Sequence, residues 1–173
     1  RTEKQTAQRV KLTAAQTMYR AIRGSLLEKV HAIAAKEEER RSGYHGFLHA
    51  NMNMFGQDDY IDYLRLVISA GSLQLPFGMK ASKCTPEELE LTWINNSSTI
   101  TAQPSDQLLV AAIFDNEPYQ PEMLETKVFC RKNGQASVLL PEGEWNTAHL
   151  YCFFSTENRE RFSPCMYFTV SKP

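Results

Sequence analysis

The chain has 173 residues, with 19 Lys+Arg against 20 Asp+Glu for a net charge of −1; it is 42% hydrophobic and 23% charged. Those values, with only four Cys, eight Gly and eight Pro, exclude a largely disordered chain, a disulfide-built scaffold and a collagen-like or low-complexity chain. The length suits one large domain or two small ones and buries enough surface to fold without staples.

The near-neutral total hides a division. Residues 1–36 hold eight Lys/Arg against two Glu, a charge of +6, so the rest carries −7. Thr2-x-x-Gln5 fits a capping box and starts a first helix, with Val10, Ala14, Met18 and Ile22 as its apolar stripe. Gly24 interrupts it. Ser25-x-x-Glu28 opens a second helix that buries Leu26, Leu27, Val30, Ile33 and Ala34, and Glu37 to Arg41 form its charged, solvated end. Ser42 caps a third helix running to about Phe55, with Gly56 as its stop.

From Tyr60 onward the pattern becomes strand-like. Tyr63–Ser69 reads as a first strand, followed by a looser one from Leu73 to about Lys83. Leu89, Leu91 and Trp93 alternate with polar residues, which marks a half-buried strand. Leu108–Asp115 reads as a more buried one. Glu125–Arg131 and Ala136–Leu140 flank Asn133-Gly134, a type I′ hairpin signal. Ala148–Ser155 and Phe162–Val170 complete seven strands from Leu73 onward. In this last pair a register in which opposed residue numbers sum to 316 keeps Leu150, Met166, Ala148 and Phe168 on one face. A sum of 317 would instead set Cys152 against Cys165. The first is preferred, with free thiols. The expected fold is α+β: a helical region over 1–59, then an immunoglobulin- or fibronectin type III-like antiparallel sandwich over 60–173.

Motifs for chemistry are sparse. No G-x-S-x-G, P-loop or G-x-G-x-x-G sequence occurs. His45 and His49 share a helical face but lack further zinc ligands, so no metal or other cofactor is expected. His31 and His149 fall in apolar patterns and read as structural. Cys84, Cys130, Cys152 and Cys165 show no C-x-x-C pair. Asp58, Asp59 and Asp62 lack the loop glycine and terminal Glu of an EF-hand and read as a polar connection. Glu87, Glu88 and Glu90 do not single out an acid–base pair. Asn95-Asn96-Ser97-Ser98 reads as a polar turn. Trp93, Trp145, Tyr151, Phe153 and Phe154 read as core, with Tyr151 also a candidate corner tyrosine whose hydroxyl is tied to nearby backbone. The longest apolar run, Leu108–Phe114, has seven residues, where a membrane span needs about twenty. The residues read as no basic-then-apolar secretory leader, but any targeting signal is expected to have gone with the natural N-terminus, so localisation stays open. The chain starts with Arg1 rather than Met, so the natural N-terminus is expected to be missing, and free thiols favour the cytoplasm.

One feature points to a partner. Arg9, Arg20 and Arg23 fall along one side of the first helix, with Lys11 nearby, and such charge suits phosphate or an acidic protein surface.

Segments spread over the chain carry a resemblance. They are Thr2-Glu-Lys-Gln-Thr-Ala-Gln-Arg9, Asp62-Tyr63 leading to Ile68-Ser69-Ala70-Gly71-Ser72-Leu73, Leu91-Thr92-Trp93 with Asn96, and Asp106 to Val110. Trp145 with Ala148-His149-Leu150-Tyr151, and Ser163-Pro164 with Met166-Tyr167, complete the set. Together they resemble an uncharacterised family found mainly in Bacteroidetes. The resemblance implies a helical N-terminal part before a β-sandwich, and no activity. The expected function is a non-catalytic interaction or structural module that binds a protein partner or itself, with no small-molecule ligand. Nucleic-acid binding through the basic helices is the alternative, and an enzyme assembled from distant residues the third reading.

Overall fold

Local signals set the helices where the sequence places them. In the computed structural model, which describes residues 2–172, α1 spans Glu3–Ile22. Its Thr2 hydroxyl accepts from the Gln5 N–H while the Gln5 side chain accepts from the Thr2 N–H. α2 spans Leu26–Glu37 and α3 spans Gly43–Asn51. Ser25 and Ser42 cap them through the Leu27 and His45 N–H groups. Ser25 therefore caps without the reciprocal Glu28 contact. α3 ends at Asn51, and a 3₁₀ turn over Met52–Met54 carries the chain to Phe55.

Seven strands follow: β1 Lys80–Thr85, β2 Glu88–Thr92, β3 Gln107–Phe114, β4 Glu122–Met123, β5 Gln135–Leu139, β6 Thr147–Ser155 and β7 Met166–Ser171. They form a three-stranded sheet in the order β1-β2-β5 and a four-stranded sheet in the order β4-β3-β6-β7, all pairs antiparallel. The fold is thus α+β, three helices followed by a β-sandwich.

Alternation along β3 and β6 explains the layering. Leu108, Val110, Ala112, Leu150, Cys152 and Phe154 point between the sheets with Leu89, Leu91 and Val138. Their neighbours Ala111, Ile113, Tyr151 and Phe153 point the other way, into a second core with Met18, Ile22, Leu27, Val30 and Phe47 of the helices. The four-stranded sheet is buried on both faces, which is why β3 reads as a continuous apolar run. Each fully buried Leu, Phe or Met here contributes about 1.5–3 kcal/mol.

Five expectations change. Glu125–Arg131 forms no strand: the strand beside β3 is the short β4, and the later residues touch β3 through the single Gln107–Cys130 bridge. Residues 63–69 form no strand. They cross under the helices as a strap whose Leu66 and Ile68 are buried. The Asn51 side chain takes the place of a neighbouring strand, accepting from the Val67 N–H at 2.7 Å and donating to its carbonyl at 3.1 Å. The strand read from Leu73 begins only at Lys80. Asn133-Gly134 closes no hairpin. Only Gly134 has positive φ (67°), whereas a type I′ turn needs two such residues. Cys130–Gly134 is instead a 3₁₀ turn that hands the chain from the edge of β3 to β5, which pairs with β2. The last pair runs at a sum of 318, Leu150 against Phe168 and Cys152 against Met166. Ser155 and Phe162 bridge at 317 nearer the turn, so one extra residue is accommodated around Pro164, which has no N–H to give the ladder. Faces along β7 from Met166 stay as expected because 316 and 318 have the same parity. All four cysteines are free. Cys152 points into the sandwich and Cys165 toward the helices.

Tyr151 is not a corner tyrosine. Its hydroxyl donates to the Tyr63 carbonyl at 2.7 Å, which ties the strap to the four-stranded sheet, and burial pushes its pKa up. Tyr151→Phe leaves that carbonyl without a partner and is expected to cost about 1–2 kcal/mol in urea unfolding at an unchanged m value; a variant as stable as the parent would show that the tie contributes nothing.

Candidate interaction surface

At about 100° per residue, Arg9, Arg20 and Arg23 share one side of α1, and all three are exposed. Lys11 lies on a different side and is half-buried, so the expected group of four reduces to three. The Arg23 guanidinium sits 5.8 Å from the Tyr19 ring centre. Among the described basic residues up to Lys36, Lys29 is the one that meets a carboxylate, Glu160 at 3.1 Å. The basic face is therefore not neutralised by the acidic sandwich of its own chain.

A cleft of about 620 Å³ runs beside this side of α1. One wall is α1, with Thr6, Arg9, Val10, Thr13 and Thr17; the other is the turn after Phe55, with Gly56, Asp58 and Asp59, and Tyr119 from the connection after β3. Asp58 and Asp59 both adopt φ of 57°, a left-handed conformation that Asp tolerates better than most residues. The turn is held by Gly56 N–H to Tyr60 carbonyl at 3.0 Å and Tyr60 N–H to Gln57 carbonyl at 3.1 Å. Tyr119 donates to Asp59 Oδ1 at 2.9 Å and stacks on Phe55. Burial and this carboxylate push the Tyr119 pKa up to about 12. No ion pair joins Arg9 to Asp58 or Asp59 among the described residues. The acidic connection read from the sequence is thus one wall of a cleft. Tyr119, some sixty residues on in sequence, carries no local signal of that role.

Next to the cleft, Tyr63 stacks on His149 at 3.6 Å, and His149 Nδ1 lies 2.6 Å from the Tyr167 hydroxyl. Burial lowers the His149 pKa, with Asp115 opposing. Its ring is packed as expected of a structural histidine. His31 is buried in α2. His45 and His49 are exposed, and His45 Nδ1 lies 2.7 Å from the capping Ser42 hydroxyl. Among the described residues no group of three or more His, Cys, Asp or Glu is placed to hold a metal ion, and no helix is long and apolar enough to cross a membrane. A nucleophilic thiol needs a depressed pKa, but burial raises those of Cys152 and Cys165, and a hydrogen bond to Glu90 raises that of Cys84.

At the far end of the sandwich, sequence reading missed a buried ion pair. Arg131 Nε lies 3.0 Å from Asp106 Oδ2, with both side chains almost fully buried. Arg131 also donates to the Gln74 carbonyl at 2.8 Å and to Asn96 Oδ1 at 3.2 Å, and stands 4.0 Å over the Phe154 ring. Its partners lie 25 to 57 residues away, and no spacing in the sequence links them. Each of its three guanidinium nitrogens bonds a protein group, so it is a structural clamp.

No curated protein matches the sequence. Among solved structures, the chain is similar to a family 76 glycoside hydrolase from a bovine Bacteroides thetaiotaomicron strain (17% identity, TM-score 0.43, covering 58% of this chain and 20% of that one). It is also similar to a beta-1,2-glucanase from Parabacteroides distasonis (14%, TM-score 0.40, 60% and 13%). A third is the fn3 domain of human collagen alpha-1(XX) chain (8%, TM-score 0.40, 60% and 90%). The chain thus spans a fifth or less of the two bacterial enzymes. A family of unknown function, DUF6266, matches residues 1–169, and the chain belongs to that family.

Proposed function

We propose that the chain is a non-catalytic interaction module that meets a protein partner through the exposed side of α1. The observation that supports this reading most is that Arg9, Arg20 and Arg23 stay exposed and without carboxylate partners after folding, although the rest of the chain carries −7. Aligned, unpaired charge steers association and selects partners more than it stabilises a fold. The shifted thiols and imidazoles are packed or held protonated, which supports binding over catalysis.

The test is amine cross-linking in the cells that make the protein, read by mass spectrometry. Expected are inter-chain links from Lys4 and Lys11, the lysines of α1, which lie on another side of the helix from Arg9 but within a cross-linker's reach across its width of about 10 Å. Links confined to single chains would contradict the reading. Retention of a short DNA or RNA duplex at low salt, abolished by Arg9→Glu/Arg20→Glu/Arg23→Glu, would replace it with nucleic-acid binding.

A further inference from the structure

The face that carries the cleft presents both signs of charge side by side. Arg9 stands on the α1 wall, Asp58 and Asp59 on the opposite wall, and no ion pair closes across it. The turn cannot swing over to α1, because its own backbone bonds and the Tyr119–Asp59 bond fix it. A purely acidic partner would be attracted by the arginines and repelled by the aspartates next to them. A surface with plus beside minus is instead complementary to itself after a two-fold rotation, where residue i meets j and j meets i. Apolar groups accompany the charges: Tyr60, bonded to Gly56 within the turn, is 57% exposed, and Val10 lines the cleft. An exposed aromatic beside a partly apolar cleft, with charges around it, is the usual make-up of a protein interface.

We propose that two copies of this chain form a two-fold dimer on this face, Arg9 of each copy meeting Asp58 and Asp59 of the other, with Tyr60 at the contact. This rests on the reading of the chain as an interaction module and names its partner as a second copy.

A charge swap tests it. In Arg9→Glu the new carboxylate faces Asp58 of the other copy; in Asp58→Lys the new cation faces Arg9. Each variant alone is expected to raise the dimer Kd about tenfold or more. Mixed in equal amounts, they pair Glu with Lys and Asp58 with Arg9, so light scattering should show the dimer mass restored. Asp58→Asn tolerates the left-handed backbone and serves as a milder variant that weakens association should the Lys variant misfold. A mixture that stays monomeric, variants that dimerise like the parent, or a parent that is monomeric at low salt would each overturn the dimer. If the parent is monomeric yet α1 cross-links to other proteins, the dimer falls and the module reading stands; with no inter-chain links at all, both fall.

Discussion

Asp106→Ala is expected to lower the unfolding free energy by about 3–5 kcal/mol, the largest single-site loss predicted for this chain. Asp106 and Arg131 are 2% and 0% exposed at their side chains. Removing the carboxylate leaves a guanidinium that water cannot reach. Burial already disfavours the charged form of Arg131, and Asp106 opposes that. The Gln74 carbonyl, Asn96 and the Phe154 ring stay in place, but none of them supplies a negative charge. The Asp106 backbone carbonyl also accepts from the Arg131 N–H at 2.7 Å, and the Arg131 carbonyl accepts from Trp93 Nε1 at 2.8 Å. A displaced Arg131 therefore disturbs the Trp93 side of the sandwich core as well. Arg131→Met/Asp106→Leu removes both charges and is expected to cost less than Asp106→Ala, because the penalty comes from the orphaned ion more than from the lost attraction. Urea unfolding of the two variants checks this. A double variant that loses more than Asp106→Ala, or an Asp106→Ala loss below about 1 kcal/mol, would count against a clamp role.

The second large effect is a loss of stability in mild acid. His31 is 4% exposed, lies edge-on to Phe47 at 5.0 Å, and its Nε2 has no hydrogen-bond partner. Burial lowers its pKa from 6.5 to about 4, against a smaller opposing contribution from the Ile68 backbone. The folded state therefore keeps this imidazole neutral where the unfolded chain binds a proton. Between pH 6.5 and about 4 the unfolded state holds more protons, so stability falls as pH falls through that window, then levels off. About 2.5 pH units at 1.36 kcal/mol each gives roughly 3 kcal/mol. Above pH 6.5 the contribution is fully present. His31→Leu removes the titration, so the parent-minus-variant difference in unfolding free energy should change by about 3 kcal/mol between pH 7 and pH 4. Parallel curves for the two proteins would show that His31 does not titrate this way.

Legibility from sequence followed the range of the interactions. Caps and stripes are local, so α1, α2 and the start of α3 were readable from Thr2, Ser25, Ser42 and their apolar repeats. β2, β3 and β6 were readable because alternation, or an unbroken apolar run, reports burial directly. The strap over 63–69 was not, because the Asn51 amide that replaces its strand partner sits sixteen residues back and carries no pattern. The Asn133-Gly134 error has the same root: a turn dipeptide reports φ preferences, not which sheet its flanks join. The final register missed by two: pairing nearest the turn already runs at 317, and the extra residue around Pro164 adds the second step. For the candidate surface, helical periodicity placed Arg9, Arg20 and Arg23 together. The opposite wall needed the fold, which brings Tyr119 to Asp59 and holds both across from Arg9.

In the proposed dimer, charge left unpaired by folding is what the partner reads, and the partner is a second copy. Light scattering on the parent protein across a salt series addresses it directly. The expected result is twice the chain mass at about 0.05 M salt, shifting to the single-chain mass near 1 M, where the screening length falls to about 3 Å. A single-chain mass at every salt concentration, or a dimer indifferent to salt, would contradict it.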